Sequence, residues 1–366
     1  MPSPHPLLAA VLLAVSLAPV PGAADEARYR TPPAAIESVL TAPPLPSVQV
    51  APRRDVIALA TPLRYPPVAD LARPMLRLAG LRIDPASNGI HHAAAATGLS
   101  LERVADGRVT RLALPPGARI ANLRFSPDGS RFALTNATAR GTELWLGTTA
   151  DGRVRRVENV AVNAVFPEPL VWAPDGAHLI VRAVDRRGPA PAAGVAHGPV
   201  VQETAGAAGQ IVTYEDLLAD AHDEALFDYY ATARIALVDA RGAGVTRTAA
   251  RGLYTRVSPS PDGRYLLAER VHAPFSYLFP YERFPAATEV LDPAGRRVAT
   301  VADRPAADRL PADGVPAGPR EVAWEAGAPA TLAWAEALDG GDPRRARRSR
   351  SGRCATATST PIPARR

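Results

Sequence analysis

A strand, a tight Pro-Asp-Gly turn and a second strand recur along this chain, and that repeat limits the fold more than any other feature. Leu123–Leu134 (LRFSPDGSRFAL) returns as Leu170–Val181 (LVWAPDGAHLIV) and as Val257–Ala268 (VSPSPDGRYLLA), with a fainter copy at Val48–Leu59. Proline sets φ ahead of the turn, aspartate hydrogen-bonds the turn backbone, and glycine accepts the positive φ. Apolar and polar residues alternate on both sides, as in strands with two distinct faces. A second hairpin follows the first in fixed order: Leu99–Leu112, Leu144–Val157, Ile235–Thr248 and Val290–Val301, turning at Gly107, Gly152, Gly242 and Gly295. These glycines lie 45, 90 and 53 residues apart.

A unit of about 45 to 50 residues with two hairpins is one four-stranded propeller blade, and the 90-residue gap is a blade carrying an insertion. The rival is a β-sandwich that happens to hold Asp-Gly hairpins; it gives no reason for two turn types to alternate in order. The expected fold is therefore all-β: a β-propeller of four-stranded blades over residues 25–342, with about five recognisable units and an incomplete ring. The insertion is placed at 186–232. Gly188–Gly209 reads as a Pro/Ala/Gly loop. A helix is predicted over Tyr214–Tyr230, where Leu217, Leu218, Ala221, Ala225 and Tyr229 recur at helical spacing behind an acidic start. Long insertions in repeat proteins emerge on one rim and often serve binding or gating.

The flanks read differently from the body. Leu7–Leu17 is an apolar run too short to span a bilayer, followed by Gly22-Ala23-Ala24 and then Asp25-Glu26. Residues 1–24 are expected to be a secretory signal peptide, giving a periplasmic or extracellular protein. The n-region has only the α-amino group and His5 for positive charge, so a disordered Pro/Ala-rich terminus stays open as the alternative. No second segment is long and apolar enough to cross a membrane. The single cysteine, Cys354, leaves the body without a disulfide.

The net charge of +6 invites a nucleic-acid reading, but eight arginines lie between Pro343 and Arg366 with no acid among them, leaving −2 for the rest (+6 less these eight). A groove that tracks phosphates needs basic groups spread over a folded face, so no nucleic-acid partner is expected. Residues 343–366 show no strand or helix period and are expected to be a disordered Arg-rich tail.

Catalytic patterns are missing. The chain has no lysine, which excludes a P-loop, a Schiff-base lysine and a Ser-x-x-Lys nucleophile. No serine sits in a Gly-x-Ser-x-Gly elbow, no His-Glu-x-x-His occurs, and Cys/His metal spacing is impossible with one cysteine. No catalytic, cofactor-binding or metal-ligating residue is assigned, and no cofactor is expected. His91-His92 read as a solvated turn, since neighbours on a strand point to opposite faces. Glu215, Asp216, Asp220, Asp223, Glu224 and Asp228 lack the calcium-loop pattern and read as a hydrated helix face. Trp145, Trp172, Trp324 and Trp334 fall on predicted strands and read as blade-packing residues.

Four stretches go beyond generic hairpins: Tyr65–Ile83 with Asn88-Gly89; Gly198–Thr204 with Thr213–Leu218 and Asp223–Tyr230; Ser260–Leu267 with Pro274–Pro280; and Gly318–Trp324 through Leu332–Asp342. In these the chain resembles the N-terminal propeller of secreted serine peptidases of the prolyl oligopeptidase family, glutamyl endopeptidase type. The resemblance covers about residues 28 to 343. It implies a propeller that screens peptide access to an α/β-hydrolase domain holding a Ser-Asp-His triad. That domain has no counterpart here, so no catalytic residue carries over, and the resemblance implies truncation.

The resemblance stops at Asp342-Pro343. A frameshift in a GC-rich gene accounts for the Arg/Ala/Pro/Ser text that follows; a genuine basic tail is the rival. The DNA beyond the Pro343 codon, read in the other frames, decides between them by the presence or absence of the elbow motif. Two functional expectations follow: a substrate-screening segment of a serine peptidase, inactive alone, or a free-standing periplasmic binding propeller. A ring cut short exposes strand edges and apolar blade faces, so the product is expected to aggregate readily.

Overall fold

A computed structural model of the protein describes residues 32–185, 188–193, 213–242, 244–307, 316–337 and 355–361. Helix α1 (Ala34–Leu40) belongs to a first compact unit that ends at Pro44. The second unit, from Leu45 onward, holds all the strands.

The strands fall into antiparallel meanders. The first is β1 (Ser47–Val50) and β2 (Val56–Pro62), then a detour through α2 (Val68–Leu71), β3 (Leu76–Leu78), β4 (Leu81–Asp84) and β5 (Gly89–Ile90), then β6 (Ala96–Arg103) and β7 (Val109–Arg111). Strands β1-β2-β6-β7 pair in that order, while β3-β4-β5 form a small sheet of their own. The second blade is β8 (Ile120–Phe125), β9 (Arg131–Thr138), β10 (Gly141–Thr148) and β11 (Val154–Val162). The third is β12 (Leu170–Trp172), β13 (His178–Val184), β14 (Ala233–Asp239) and the first half of β15 (Gly244–Pro259), with α3 (Ala221–Ala231) between β13 and β14. The second half of β15 opens the fourth blade with β16 (Leu266–Val271), β17 (Ala286–Leu291) and β18 (Arg297–Arg304). A three-stranded sheet of β19 (Arg320–Trp324), β20 (Thr331–Ala337) and β21 (Ala355–Pro361) comes last. Strand pairing links the first three blades through single residue pairs, Ala96–Ile120 and Val162–Ala183, and the third and fourth blades share β15. The fold is therefore a β-propeller of four four-stranded blades and a fifth, smaller sheet. Among the described residues neither strand pairing nor a shared core joins the first blade to the last sheet, so over these residues the ring is open.

The period-2 pattern now has a physical destination: the two faces of a blade bury against different neighbours. On β9, Phe132 and Leu134 join a core with the first blade, while Ala133 joins a core with the third. On β13, Leu179 and Val181 face the second blade and Ile180 the fourth. On β16, Leu266 and Ala268 face the third blade and Leu267 the last sheet. Each blade interface is thus a core of its own. The four tryptophans belong to them: Trp145, Trp172, Trp324 and Trp334 all pack at blade interfaces.

Three expectations need correction. The predicted helix Tyr214–Tyr230 begins only at Ala221, because the Asp220 side chain caps it by accepting the N–H groups of His222 and Asp223. Upstream, Asp216 has a φ of 59°, which no helix tolerates. The tail, expected to be without regular structure, contributes a strand: Ala355–Pro361 pairs with β20 from Thr331–Pro361 to Ala337–Ala355. Finally, 186–232 is not the sole insertion; residues 63–95 and 272–285 are further detours from the meander. The expected signal peptide, the loop at 194–212 and residues 338–354 lie outside the described residues.

Candidate functional site

In a four-stranded meander the connections alternate between two ends of the blade. The short Asp-Gly turns link the first strand to the second and the third to the fourth, so they collect at one end. The second-to-third links collect at the other, and there the three detours occur: 63–95, 185–232 and 272–285. Only the second blade keeps a tight turn at that position, at Ala139-Arg140.

These detours fold against each other into a cap with its own core. Phe227 is fully buried and meets Phe166, Phe275 and Phe284 edge-on at 6.3, 5.3 and 5.9 Å. Leu78 and Ile83 from the first detour and Leu218 from the second complete the packing. Polar contacts tie the same segments together. The Arg82 guanidinium donates to Asp216 at 2.6 Å and to Glu215 at 3.0 Å, and the bond and charge of Asp216 raise its pKa above the usual arginine value. The Gly80 N–H donates to the Asp216 carbonyl at 2.8 Å, and the Tyr281 N–H donates to the Ala79 carbonyl at 2.9 Å. Gly80 has a φ of +83°, and a Cβ there would lie 2.5 Å from the Cβ of Pro280, so only glycine lets the first and third detours touch.

The cap is pinned to the blades by buried polar groups. Asn163 Nδ2 donates to the carbonyls of Tyr230 and Thr232, both at 2.9 Å, and Asn88 Nδ2 donates to Tyr230 at 3.1 Å. Beneath them Arg182 is buried with no carboxylate partner among the described residues. Its guanidinium donates instead to the carbonyls of Tyr254 (2.6 Å), Thr255 (2.8 Å), Phe166 (2.7 Å) and Pro167. Burial pulls its pKa down to about 10, so it stays charged at neutral pH and joins the third blade to the fourth. The Tyr277 hydroxyl is pushed up to about 12, first by its hydrogen bond to Glu224.

Most of the acids read as a hydrated face have structural partners: Asp216 with Arg82, Asp220 as helix cap, Asp223 accepting the Ala219 N–H, Glu224 with Tyr277 and Asp228 with Thr232. His91 and His92 do lie in a turn, but their rings stack at 4.0 Å instead of diverging, because His92 adopts a φ of 56°. Their Nε2 atoms lie 3.2 Å from the Arg73 carbonyl and 3.0 Å from that of Asp70. No group of three or more metal-ligating side chains occurs among the described residues.

Beside the cap a polar cleft of about 840 Å³ opens between the second and third blades, lined by Asn88, Arg140, Glu143, Arg156, Asp185 and Tyr230 among others. Burial works against ionisation of Glu143, but hydrogen bonds from Trp145, Asn136 and Arg156 outweigh it and hold the carboxyl below its ordinary range. Asp185 pairs with Arg234 and Arg251. The cleft therefore offers fixed charges of both signs and backbone-scale hydrogen-bonding groups. It can hold an extended polar chain.

The sequence singles out Tyr65–Ile83, Thr213–Leu218 with Asp223–Tyr230, and Pro274–Pro280 as separate stretches; the structure packs residues of all of them into one cap. Asn163 and Arg182, which hold that cap, fall outside those stretches.

No family model matches the chain. A probable chloroplastic glutamyl endopeptidase of Oryza sativa subsp. japonica is 33% identical over 334 residues, 86% of this chain and 35% of that protein. Its counterpart in Arabidopsis thaliana is 34% identical over 331 residues, 86% of this chain and 34% of that protein. The chain thus spans about a third of the length of the curated relatives it matches. Among solved structures, an acylaminoacyl peptidase of Pyrococcus horikoshii aligns with 80% of this chain and 35% of its own, at 10% identity and a TM-score of 0.40.

Proposed function

We propose that this chain, a homologue of the glutamyl endopeptidases of the prolyl oligopeptidase family, is a peptide-screening propeller segment that does not itself cut peptides. The observation that carries the reading is the convergence of parts of three family-like stretches on one end of the blades, where Asn88, Tyr229 and Tyr230 from two of them line the polar cleft. A rigid rim of fixed width admits an extended peptide and turns away a folded one. Arg140, on the tight turn at the cleft, offers a positive charge to an acidic side chain. The sequence supplies no nucleophile elbow to cleave what enters. Homology over 86% of the chain supports this reading over a free-standing binding module.

The test has two parts. A chromogenic Glu-containing peptide is expected to show no turnover above blank; clear turnover overturns the non-catalytic assignment. An uncleavable fluorescent peptide of the same sequence is expected to bind saturably and several-fold more weakly to Arg140→Ala; equal binding removes the cleft from the proposal. Export belongs to the same proposal, supported by the Leu7–Leu17 run. Amino-terminal sequencing of the secreted product should start near Asp25. Among the described residues, no helix is long and apolar enough to cross a membrane.

A further inference from the structure

The repeat has a slot that one blade leaves empty. In the first hairpin of each four-stranded blade the residue two places before the turn proline pairs across the first two strands, and Trp324 takes the same paired place in the last sheet. Strand register fixes the equivalence: Val50–Ile57, Phe125–Phe132, Trp172–Leu179, Pro259–Leu266, and Trp324–Leu332 in the last sheet. Phe125 packs into the interface of the first and second blades, Trp172 into that of the second and third, and Trp324 into that of the fourth blade and last sheet. Val50 has no preceding blade among the described residues and is 52% exposed. At the interface of the third and fourth blades the position is Pro259, whose ring is far smaller than an indole or phenyl side chain.

A gap of about 190 Å³ lies at that interface, and Pro259 lines it. Its walls are Ile180, Ile235, Leu237 and Leu266, and its width is left by Ala173 and Ala236, where larger side chains would close it. Apolar cavities of about 150 Å³ accept a benzene ring. The mouth is acidic. Asp175 and Asp262 stand on the two turns that flank it, and His178 Nδ1 lies 2.6 Å from the Asp175 carboxylate. Burial opposes ionisation of Asp175, yet bonds from His178 and two backbone N–H groups hold its carboxyl below the ordinary range. The nearby Arg264 guanidinium lies over the Tyr265 ring, and Tyr265 belongs to the next interface along. The site sits at the turn end of the blades, away from the cap.

We infer that this vacant aromatic slot is a binding site for a small aromatic group carrying an adjacent ammonium: a free aromatic amine, or the amino terminus of a peptide that begins with an aromatic residue. The ring fills the position that Phe125, Trp172 and Trp324 fill elsewhere, and the ammonium meets Asp175 and Asp262 at the mouth.

Methyl NMR titration of the full chain tests this, with phenethylammonium, the peptide Phe-Gly-Gly and 3-phenylpropionate as probes. The two cationic probes should shift the Ile180, Ile235 and Leu266 methyls saturably, at least tenfold more tightly than the anionic one, and the tighter of the two identifies the source of the ligand. Pro259→Phe fills the slot from within and should weaken both by tenfold or more. If that variant does not fold, Ala236→Leu narrows the same gap and should act alike. Asp262→Asn should cost several-fold for the cations and nothing for the anion. Absence of saturable shifts at these methyls, equal affinity for the anion, or undiminished binding to a folded slot-filled variant overturns the assignment.

Discussion

At one end of the blades Asp128 accepts the Ser126 hydroxyl at 2.6 Å, the Ser130 hydroxyl at 2.7 Å and the Ser130 N–H at 3.1 Å, all within two residues of itself. At the other end Asn163 reaches Tyr230 and Thr232, Arg82 reaches Asp216, and Gly80 meets Pro280, each joining segments tens to hundreds of residues apart. The turn end is built mainly from bonds within each hairpin, with single links between neighbouring turns such as Arg155 to the Ala240 carbonyl at 2.8 Å. The cap end is assembled from three detours around one core, so the three are expected to lose their order together. That difference teaches where a lesion stays local and where it spreads.

The sharpest way to break the comparison is to empty the cap core. Phe227→Ala removes a fully buried ring with three aromatic neighbours and should cost about 3–5 kcal/mol, read from urea unfolding. Gly80→Ala forces a Cβ into Pro280 at a positive φ and should cost about 2–4 kcal/mol, with new proteolytic cleavage in all three detours. Asn163→Ala leaves the buried Tyr230 and Thr232 carbonyls short of a donor and should cost about 1–3 kcal/mol in the same assay.

The turn end should respond least. Asp128→Ala should cost about 1 kcal/mol, with proteolysis of the cap unchanged. Its pH dependence sharpens the contrast. The Ser126 and Ser130 hydrogen bonds lower the Asp128 pKa from 3.8 to about 2, so its contribution is complete above the ordinary pKa and is lost as pH falls from about 4 through about 2. The carboxylate's share of the stability difference between wild type and Asp128→Ala should therefore shrink as pH falls from about 4 and be gone only below about 2; a difference that does not shrink over that range contradicts the turn chemistry.

The same contrast explains what the sequence could reveal. A Ser-Pro-Asp-Gly turn is written in consecutive residues, and Gly129, Gly176 and Gly263 all take the positive φ that the motif requires. The faint first copy was legible for the same reason: Arg54 occupies the left-handed position at 60° where the others have glycine. The cap has no local signature, because Arg82 gives no hint of Asp216, nor Asn163 of Tyr230. One clue lay in spacing. Within a blade the two turn residues are 23 apart in the second, but 53, 66 and 32 apart in the first, third and fourth, and each excess is a detour. The gap at Pro259 was equally present in the aligned repeats, but only the strand register shows which face that position takes.

Native-state hydrogen exchange on Phe227→Ala tests most directly whether the three detours are a single cap. The expected result is a joint loss of protection in 76–84, 213–231 and 275–284, with β9 and β13 holding theirs. Loss confined to 221–231, with the other two detours still protected, would contradict it.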